Sequence, residues 1–221
     1  TTFIRRLLVL CGTLTLQSGP ISWVTVHRMH HRHADSAMDP HSPTASVGWA
    51  YIGWVLFSDP NFNQGLKMHW SKDVMGDPFI RFLEKRQDEI CLFSFFLLFG
   101  LGVMVGNVKL GWSIVLWAGC VRIVYLWHTV FLINSIGHLW GYRNYETHDN
   151  SQNSLFISLS ALGDGLQNNH HAFPRSANFS HRPFEIDPLY WVIGVFKAAG
   201  IFKNVITHSS DSNQQVMSSL N

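Results

Sequence analysis

The sequence has few cysteines and few charges, and both shortages narrow the classes of protein that it can encode. Only three of the 221 residues are Cys; all lie in apolar segments without CxxC spacing, which predicts reduced packing residues and no disulfide framework. Charged residues make up 14% of the chain and the formal net charge is +2, so no basic surface for nucleic acid is indicated. A phosphate-binding glycine loop and a Ser-His-Asp order are also missing, which argues against nucleotide-dependent and serine-hydrolase chemistry.

Two long apolar runs predict a transmembrane hairpin. Residues 90–108 carry no charge and are long enough to cross the hydrocarbon core, and residues 110–133 form a second span that is interrupted only by Arg122. Asn107 and Lys109 mark the turn between them. An ionisable residue inside a span is a functional candidate, and for Arg122 we leave open a structural ion pair or a contact with substrate or cap.

The distribution of positive charge predicts the orientation of this hairpin. The flanking segments hold most of the Lys and Arg, whereas the turn holds only Lys109, which places both ends of the hairpin on the cytoplasmic side. We therefore predict an integral, multi-pass membrane protein with its site in the cytoplasm. One domain is predicted over residues 1–208, with a cytosolic cap from residues 18–89 and 134–208; residues 209–221 are predicted to be a disordered tail.

Helical periodicity outside the spans predicts an all-α fold. Residues 3–17 form an amphipathic pattern, and residues 47–57 are apolar and aromatic but too short to span, which indicates an interfacial segment. Near the end of the chain, Val192, Val195, Phe196, Ala199 and Phe202 lie on one helical face.

Thirteen histidines are present, and the first cluster of them has the spacing of a metal site. On a helix, His27, His30 and His31 fall at i, i+3 and i+4 and share one face, so their imidazoles can converge on metal. His33 lies off this pattern and is predicted to be a surface residue. The competing interpretation of the cluster is a solvated, histidine-rich loop.

Two further histidine segments follow the second span. His138 comes about one turn after it, and Asn134 one turn earlier is placed to hydrogen-bond a metal-bound water. Each has an ordinary alternative, an interfacial His and a helix-capping Asn. Imidazole-rich ligation suits Fe, Zn, Cu or Ni, and the ligand type alone does not choose among them.

The last segment repeats the adjacent pair as His170 and His171. Gln167 lies three residues before His170 and is a candidate metal ligand, either directly or through water. Asp164, between two glycines, is a candidate for orienting a ligand imidazole. A bare pair of histidines is more often a surface feature.

Together the three segments resemble a known family. HRMHHRHADSAMDPHSP, NSIGHLWGYRNY and GDGLQNNHHAFP are similar to the second, intermediate and third motifs of membrane fatty acid desaturases. The likeness is greatest to the acyl-CoA (stearoyl-CoA-type) delta-9 group and its bacterial relatives, and it covers nearly the whole chain to about residue 205.

The resemblance implies four transmembrane helices, a cytosolic cap and a di-iron centre. It implies that two supplied electrons and O2 as co-substrate remove two hydrogens from an acyl chain and leave a cis double bond. Carried over by position, the implied metal ligands are His27, His30, His31, His138, His170 and His171. It gives Asn134 a water-mediated contact with metal, and it places Gln167 where acyl-CoA members usually have His, although front-end desaturases use QxxHH.

Two departures from the family pattern qualify the resemblance. The first box, HxxxxH, is not in the sequence, so we expect an N-terminally truncated fragment that also lacks two spans and is inactive alone. Animal acyl-CoA members carry charged residues immediately before the HxxHH box, where this chain has Thr25 and Val26. An acyl-lipid substrate therefore stays open beside acyl-CoA. The electron donor would be a separate carrier such as cytochrome b5, ferredoxin or rubredoxin.

Three alternative functions stay open at this point. One is a hydroxylase or another lipid oxidase on the same scaffold, and another is a non-catalytic remnant without the first box. The third is a histidine-rich membrane metal-binding or transport protein, against which the position of the boxes outside the hairpin argues.

Overall fold

A computed structural model describes residues 2–57 and 64–208, and these residues form two compact units. The first unit contains the described residues up to Met29 and from Gln64 to His128; the second contains His30–Phe57 and the described residues from Thr129 onward. The α-helices are α1 (Thr2–Thr13), α2 (Pro20–His33), α3 (Trp54–Leu56), α4 (Gln64–Trp70), α5 (Lys72–Met75), α6 (Pro78–Lys85), α7 (Gln87–Val105), α8 (Val108–Ile114), α9 (Arg122–Ser135), α10 (Leu155–Ser160), α11 (Gln167–Ala172) and α12 (Pro188–Ala198). The described residues contain isolated β-bridges but no strand, so the all-α prediction is confirmed.

Two helical stretches are long and apolar enough to cross a membrane. They are Gln87–Val105, with 19 residues, and Val108–His138, with 31 residues. The second joins α8, a π-helical segment (Val115–Val121), α9 and a 3₁₀ turn (Ile136–His138). Both predicted spans are thus confirmed as apolar helices. The first begins and ends three residues earlier than predicted, and the second extends beyond its predicted range at both ends.

The first unit packs α7 against α8 at very short range. A Cβ atom added at Gly102 would lie 2.6 Å from the Cα atom of Gly111, so the two backbones meet where neither residue has a side chain. Asn107 makes the turn by accepting a hydrogen bond from the backbone N–H of Leu110 at 3.1 Å, which caps α8.

The polar groups of the hairpin hold the end of α1 in the same unit. Three successive backbone carbonyls there accept hydrogen bonds from side chains: Thr13 from Cys91 Sγ (3.4 Å), Leu14 from Arg122 Nη2 (2.9 Å) and Thr15 from Trp127 Nε1 (2.9 Å). Carbonyls at a helix end lack intrahelical partners. Arg122 thus caps carbonyls and forms no ion pair within the described residues, whereas its predicted contact with substrate or cap stays a prediction.

The ends of two predicted helices are wrong. α1 ends at Thr13, not at residue 17, and α12 ends at Ala198, before Ala199 and Phe202. The chain turns at Gly200 with φ +71°, which glycine adopts without strain. Residues 49–56 are helical, beginning with a π-helical segment (Trp49–Gly53). The predicted tail, residues 209–221, lies outside the described residues.

Candidate metal centre

The C-terminal end of α2 carries the first histidine cluster, as predicted. His30 and His31 lie in the second unit, and His27 lies one turn earlier on the same helix, in the first unit. The ring of His27 stacks on Trp23 with centroids 4.8 Å apart. His33 is the last residue of the helix.

Within the second unit, histidines from three chain segments converge. One ligand atom each from His30, His138 and His171 lie within 4.8 Å of one another. Beside them, His31 Nε2 lies 2.9 Å from His170 Nε2. The structure thus brings together five of the six predicted histidine ligands in one unit, although they are up to 141 positions apart in sequence (His30 to His171).

Carboxylates fix the outer nitrogen of three of these imidazoles. The hydrogen bonds run from His30 Nδ1 to Asp39 (2.9 Å), from His138 Nδ1 to Asp35 (3.0 Å) and from His171 Nδ1 to Asp149 (2.8 Å). The three carboxylates are at most 4% exposed. A carboxylate behind a metal-binding imidazole sets its tautomer and orientation.

In two of these histidines the other ring nitrogen, Nε2, has no hydrogen bond to any described residue. Nε2 of His138 and Nε2 of His171 are buried, and neither has a partner among the described residues. Leaving a buried polar atom unpaired costs about 1–3 kcal/mol. A metal ion bound by these nitrogens would offset that cost, so the donor set fits a metal such as iron.

Electrostatics keep His171 neutral and Asp149 charged. Burial lowers the pKa of His171 below its ordinary value, against the opposing effect of its hydrogen bond to Asp149. Burial would raise the pKa of Asp149, but the hydrogen bonds from His171, Ser151 and Thr147 hold it well below the usual range. A neutral imidazole is the form that ligates metal.

A buried polar network places α11, which carries the last two histidines. Asn168 accepts hydrogen bonds from the backbone N–H groups of Asn144 and Tyr145, at 2.8 and 2.9 Å. Asn169 donates to the Glu185 carboxylate at 2.9 Å and accepts from Asn153 Nδ2, also at 2.9 Å. Both asparagines are completely buried, so α11 is fixed by hydrogen bonds rather than by apolar packing.

Comparison with known proteins identifies the family. The chain matches the model of the fatty acid desaturase family over residues 1–206. It is 36% identical to the sn-1 stearoyl-lipid 9-desaturase of Anabaena variabilis over 92% of this chain and 71% of that protein. The chain belongs to the fatty acid desaturase family.

Two other relatives of this desaturase chain differ in the substrate that their names give. The icosanoyl-CoA 5-desaturase of Limnanthes douglasii is 38% identical over 88% of this chain and 53% of its own length. The sn-2 palmitoyl-lipid 9-desaturase of Nostoc sp. (strain 36) is 33% identical over 93% of this chain and 70% of its own length. The chain spans between about half and seven tenths of these relatives, all of which are oxidoreductases by name.

The desaturase chain also has site residues that its sequence did not reveal. His41 is 4% exposed, its ring lies 4.3 Å from that of His30, and its Nδ1 lies 3.8 Å from the Asp39 carboxylate. Asp35, Asp39 and Asp149 were missed as well. The only sequence signal for Asp35, Asp39 and His41 is their position shortly after the first histidine cluster, in a segment without helical spacing.

Three predicted accessory residues lie apart from these contacts. Gln167 donates from Nε2 to the backbone carbonyl of Asp164 at 2.6 Å, and Asn134 lies half-buried on α9. The described carboxylates that hydrogen-bond the histidines of the site do not include Asp164. The predicted contacts of these three residues with metal, water or a ligand imidazole stay predictions.

Proposed function

We propose that the protein is an O2-dependent fatty acyl desaturase that introduces a cis double bond at the delta-9 position of a lipid-bound acyl chain. The observation that carries the proposal is the convergence of His30, His138 and His171, each supported by a buried carboxylate. Membership of the desaturase family supports the reaction class. Acyl-CoA is the other substrate that the test distinguishes.

In this proposal the histidines hold two iron ions. The proposed ligands come from the three histidine segments of the sequence: His27, His30, His31, His138, His170 and His171. When bound, iron would supply the reduction of O2 to two water molecules, which takes two external electrons, two protons and the two hydrogens removed from the acyl chain. The chain's own residues would present the imidazoles, and the three buried carboxylates would hold those of His30, His138 and His171 in place.

The membrane arrangement belongs to the same proposal. The two apolar helices would be half of a four-helix membrane domain in a multi-pass protein. The ligand histidines would belong to a cap on the cytoplasmic side. A separate electron carrier, such as cytochrome b5, ferredoxin or rubredoxin, would deliver the electrons.

The names of the relatives and the environment of Thr25, which lies two residues before His27, support a lipid carrier. Two of the relatives described above are named as lipid desaturases of the 9 position. Thr25 is completely buried and its hydroxyl donates to the carbonyl of Ile21 at 2.8 Å and pairs with Ser71 at 2.7 Å. Its side chain therefore offers nothing to the polar groups of CoA.

The proposal is tested by expressing the complete reading frame in a host that makes no delta-9 double bonds. Mass spectrometry of the host lipids is expected to show an acyl product that has lost two hydrogens, with its double bond at position 9. His171→Ala is expected to abolish the product and to lower bound iron at least 100-fold, because a ligand and the partner of Asp149 are lost together. His148→Ala is the control, since His148 is exposed in the same unit and is expected to keep both.

The outcomes separate the alternatives. A product that gains one oxygen would identify a hydroxylase, and iron-free protein without product would support a remnant. Membranes supplied with labelled acyl-CoA while lipid acyl transfer is blocked distinguish the two carriers. Labelled unsaturated acyl-CoA that forms before any unsaturated lipid would contradict the lipid-bound substrate.

A further inference from the structure

The three buried carboxylates impose one tautomer on their histidines. An ionised carboxylate only accepts hydrogen bonds, so an imidazole bonded to it through Nδ1 carries its proton there. The lone pair of a neutral imidazole is then on Nε2. In His138 and His171, Nε2 is the buried nitrogen without a hydrogen-bond partner among the described residues.

We propose that Asp35, Asp39 and Asp149 are positioning residues that set the Nδ1–H tautomer of His138, His30 and His171. Their contribution is the direction of a hydrogen bond, which keeps the proton of each ring on Nδ1 and its lone pair on Nε2 before metal arrives. The inference rests on the proposed function only in taking metal as the ligand of those nitrogens. The tautomers themselves are a property of the metal-free protein.

The surroundings of Asp39 require an acceptor at both oxygens. Oδ1 accepts hydrogen bonds from His30 Nδ1 at 2.9 Å and from the backbone N–H of His41 at 3.1 Å. Oδ2 accepts from the backbone N–H of Asp35 at 2.8 Å. An Asn at this position would turn its NH2 group toward a backbone donor in either orientation of the amide, so one of these bonds is lost.

Asp149 is surrounded in a similar way. Its Oδ2 accepts from His171 Nδ1 at 2.8 Å, and its Oδ1 accepts from the backbone N–H of Ser151 at 3.0 Å and from Thr147 Oγ1 at 2.7 Å. An amide that keeps its oxygen toward Ser151 would donate to Nδ1 of His171. That donation moves the imidazole proton to Nε2 and closes the nitrogen to metal.

Asp35 is different and provides the matched control. Its Oδ2 accepts from His138 Nδ1 at 3.0 Å and from the backbone N–H of Asn150 at 2.7 Å, whereas its Oδ1 is buried without a partner among the described residues. An Asn can keep its oxygen at Oδ2 and place NH2 at the unpartnered position. The backbone of Asp35 has φ 61°, a conformation that Asn tolerates well.

The first experiment measures tautomers in the metal-free full-length protein. Nitrogen NMR of ¹⁵N-histidine-labelled protein distinguishes a protonated ring nitrogen from one with a lone pair. His30, His138 and His171, assigned by loss of their signals in the single His→Ala variants, are expected to show Nδ1–H and a lone pair on Nε2. Protonated Nε2 in these residues would overturn the inference even if the protein desaturates lipids. The expected tautomers in a protein without activity would instead count against the proposed function alone.

The second experiment titrates the metal-free protein with Co²⁺ and follows the visible absorption of the histidine-bound ion. Asp149→Asn is expected to weaken binding about 10–100-fold and Asp35→Asn less than about threefold. Asp39→Asn is expected to have an intermediate effect, because an amide oxygen at the Oδ1 position still accepts from His30. Equal losses in all three would mean that negative charge matters and not the hydrogen-bond direction, and unchanged binding in Asp39→Asn and Asp149→Asn would also overturn the inference. Circular dichroism checks folding; if a variant does not fold, the tautomers of the wild-type protein decide alone.

Discussion

Polar side chains on apolar or buried segments differ between the two units in how their hydrogen-bonding atoms are used. In the first unit, Arg122 and Trp127 lie on an apolar helix and donate to carbonyls at the end of α1. In the second unit, His138 and His171 are bonded on one side only, and the Nε2 atom of each stays buried without a partner among the described residues. The difference teaches how to interpret a polar residue in an apolar setting: a donor paired with backbone carbonyls of its own unit indicates architecture, and an unused lone pair indicates a ligand.

The units also differ in how their helices are fixed. α7 and α8 meet through the backbones of Gly102 and Gly111, so close apolar packing sets their positions. α11 is held by the buried amides of Asn168 and Asn169. We therefore expect the first unit to be sensitive to added volume and the second to be sensitive to changes in hydrogen-bonding groups.

The largest stability effect is expected at the glycine contact of the hairpin. Gly102→Ala places a methyl group 2.6 Å from the Cα atom of Gly111, and backbone cannot move aside as a flexible side chain can. We expect a loss of about 3 kcal/mol in the free energy of unfolding, measured by denaturant titration of the purified protein in micelles.

Gly100→Ala is the matched control on the same helix. Among the described residues, no atom beyond the adjacent turns of α7 lies within 4 Å of an added Cβ there. Ala also has the higher helix propensity, so we expect a gain of about 0.5–1 kcal/mol. Similar effects at the two positions would show that α7 and α8 do not pack through Gly102, and this half of the comparison would fail.

A somewhat smaller effect is expected at Arg122. Arg122→Leu removes the donors to the carbonyls of Ala118 and Leu14, and we expect a loss of about 2 kcal/mol in the free energy of unfolding. Arg122→Lys retains one donor and is expected to lose about half as much. If the conservative variant instead leaves stability unchanged and raises the KM for the acyl substrate, Arg122 is a substrate contact and the comparison loses its structural member.

The elements of the hairpin could be predicted from sequence because a long apolar run has few alternatives. The predicted span starts three residues after the beginning of α7 because an apolar run excludes the charged Asp88 and Glu89, whereas acidic residues are favourable in the first turn of a helix. The end of α12 was overestimated because periodicity continues past Ala198 although the backbone turns at Gly200.

The convergence of the histidines was predicted from motifs, whereas their carboxylate partners could not be predicted. Asp35 and His138 are 103 positions apart, and no local pattern links an aspartate to a distant imidazole. His41 lies ten residues after His31 in a segment without helical spacing. Which aspartate supports which histidine depends on loop conformations such as the positive φ of Asp35, which the sequence does not specify.

The smallest effect is expected at Asp164, and it tests the sequence prediction that this carboxylate orients a ligand imidazole. Burial and the nearby charge of Asp187 raise the pKa of Asp164 to about 6. Because this pKa lies above the value of about 3.9 in unfolded chains, the contribution of the carboxyl group to stability is present below about pH 4 and is lost as the pH rises through about 6. Asp164→Asn should remove this loss, which is on the order of 1–2 kcal/mol, when unfolding of the metal-free protein is compared at about pH 5 and about pH 8. Asp73→Asn is the control, because Asp73 is exposed and paired with Arg28, and it is expected to leave that difference unchanged.

If Asp164 orients a ligand imidazole, as its position before the last histidine pair predicts, Asp164→Asn will weaken iron binding. If it is only a buried carboxylate, iron binding will stay the same while the pH dependence becomes flatter. We expect the second result, because the contacts of the site already give His30, His138 and His171 a carboxylate each.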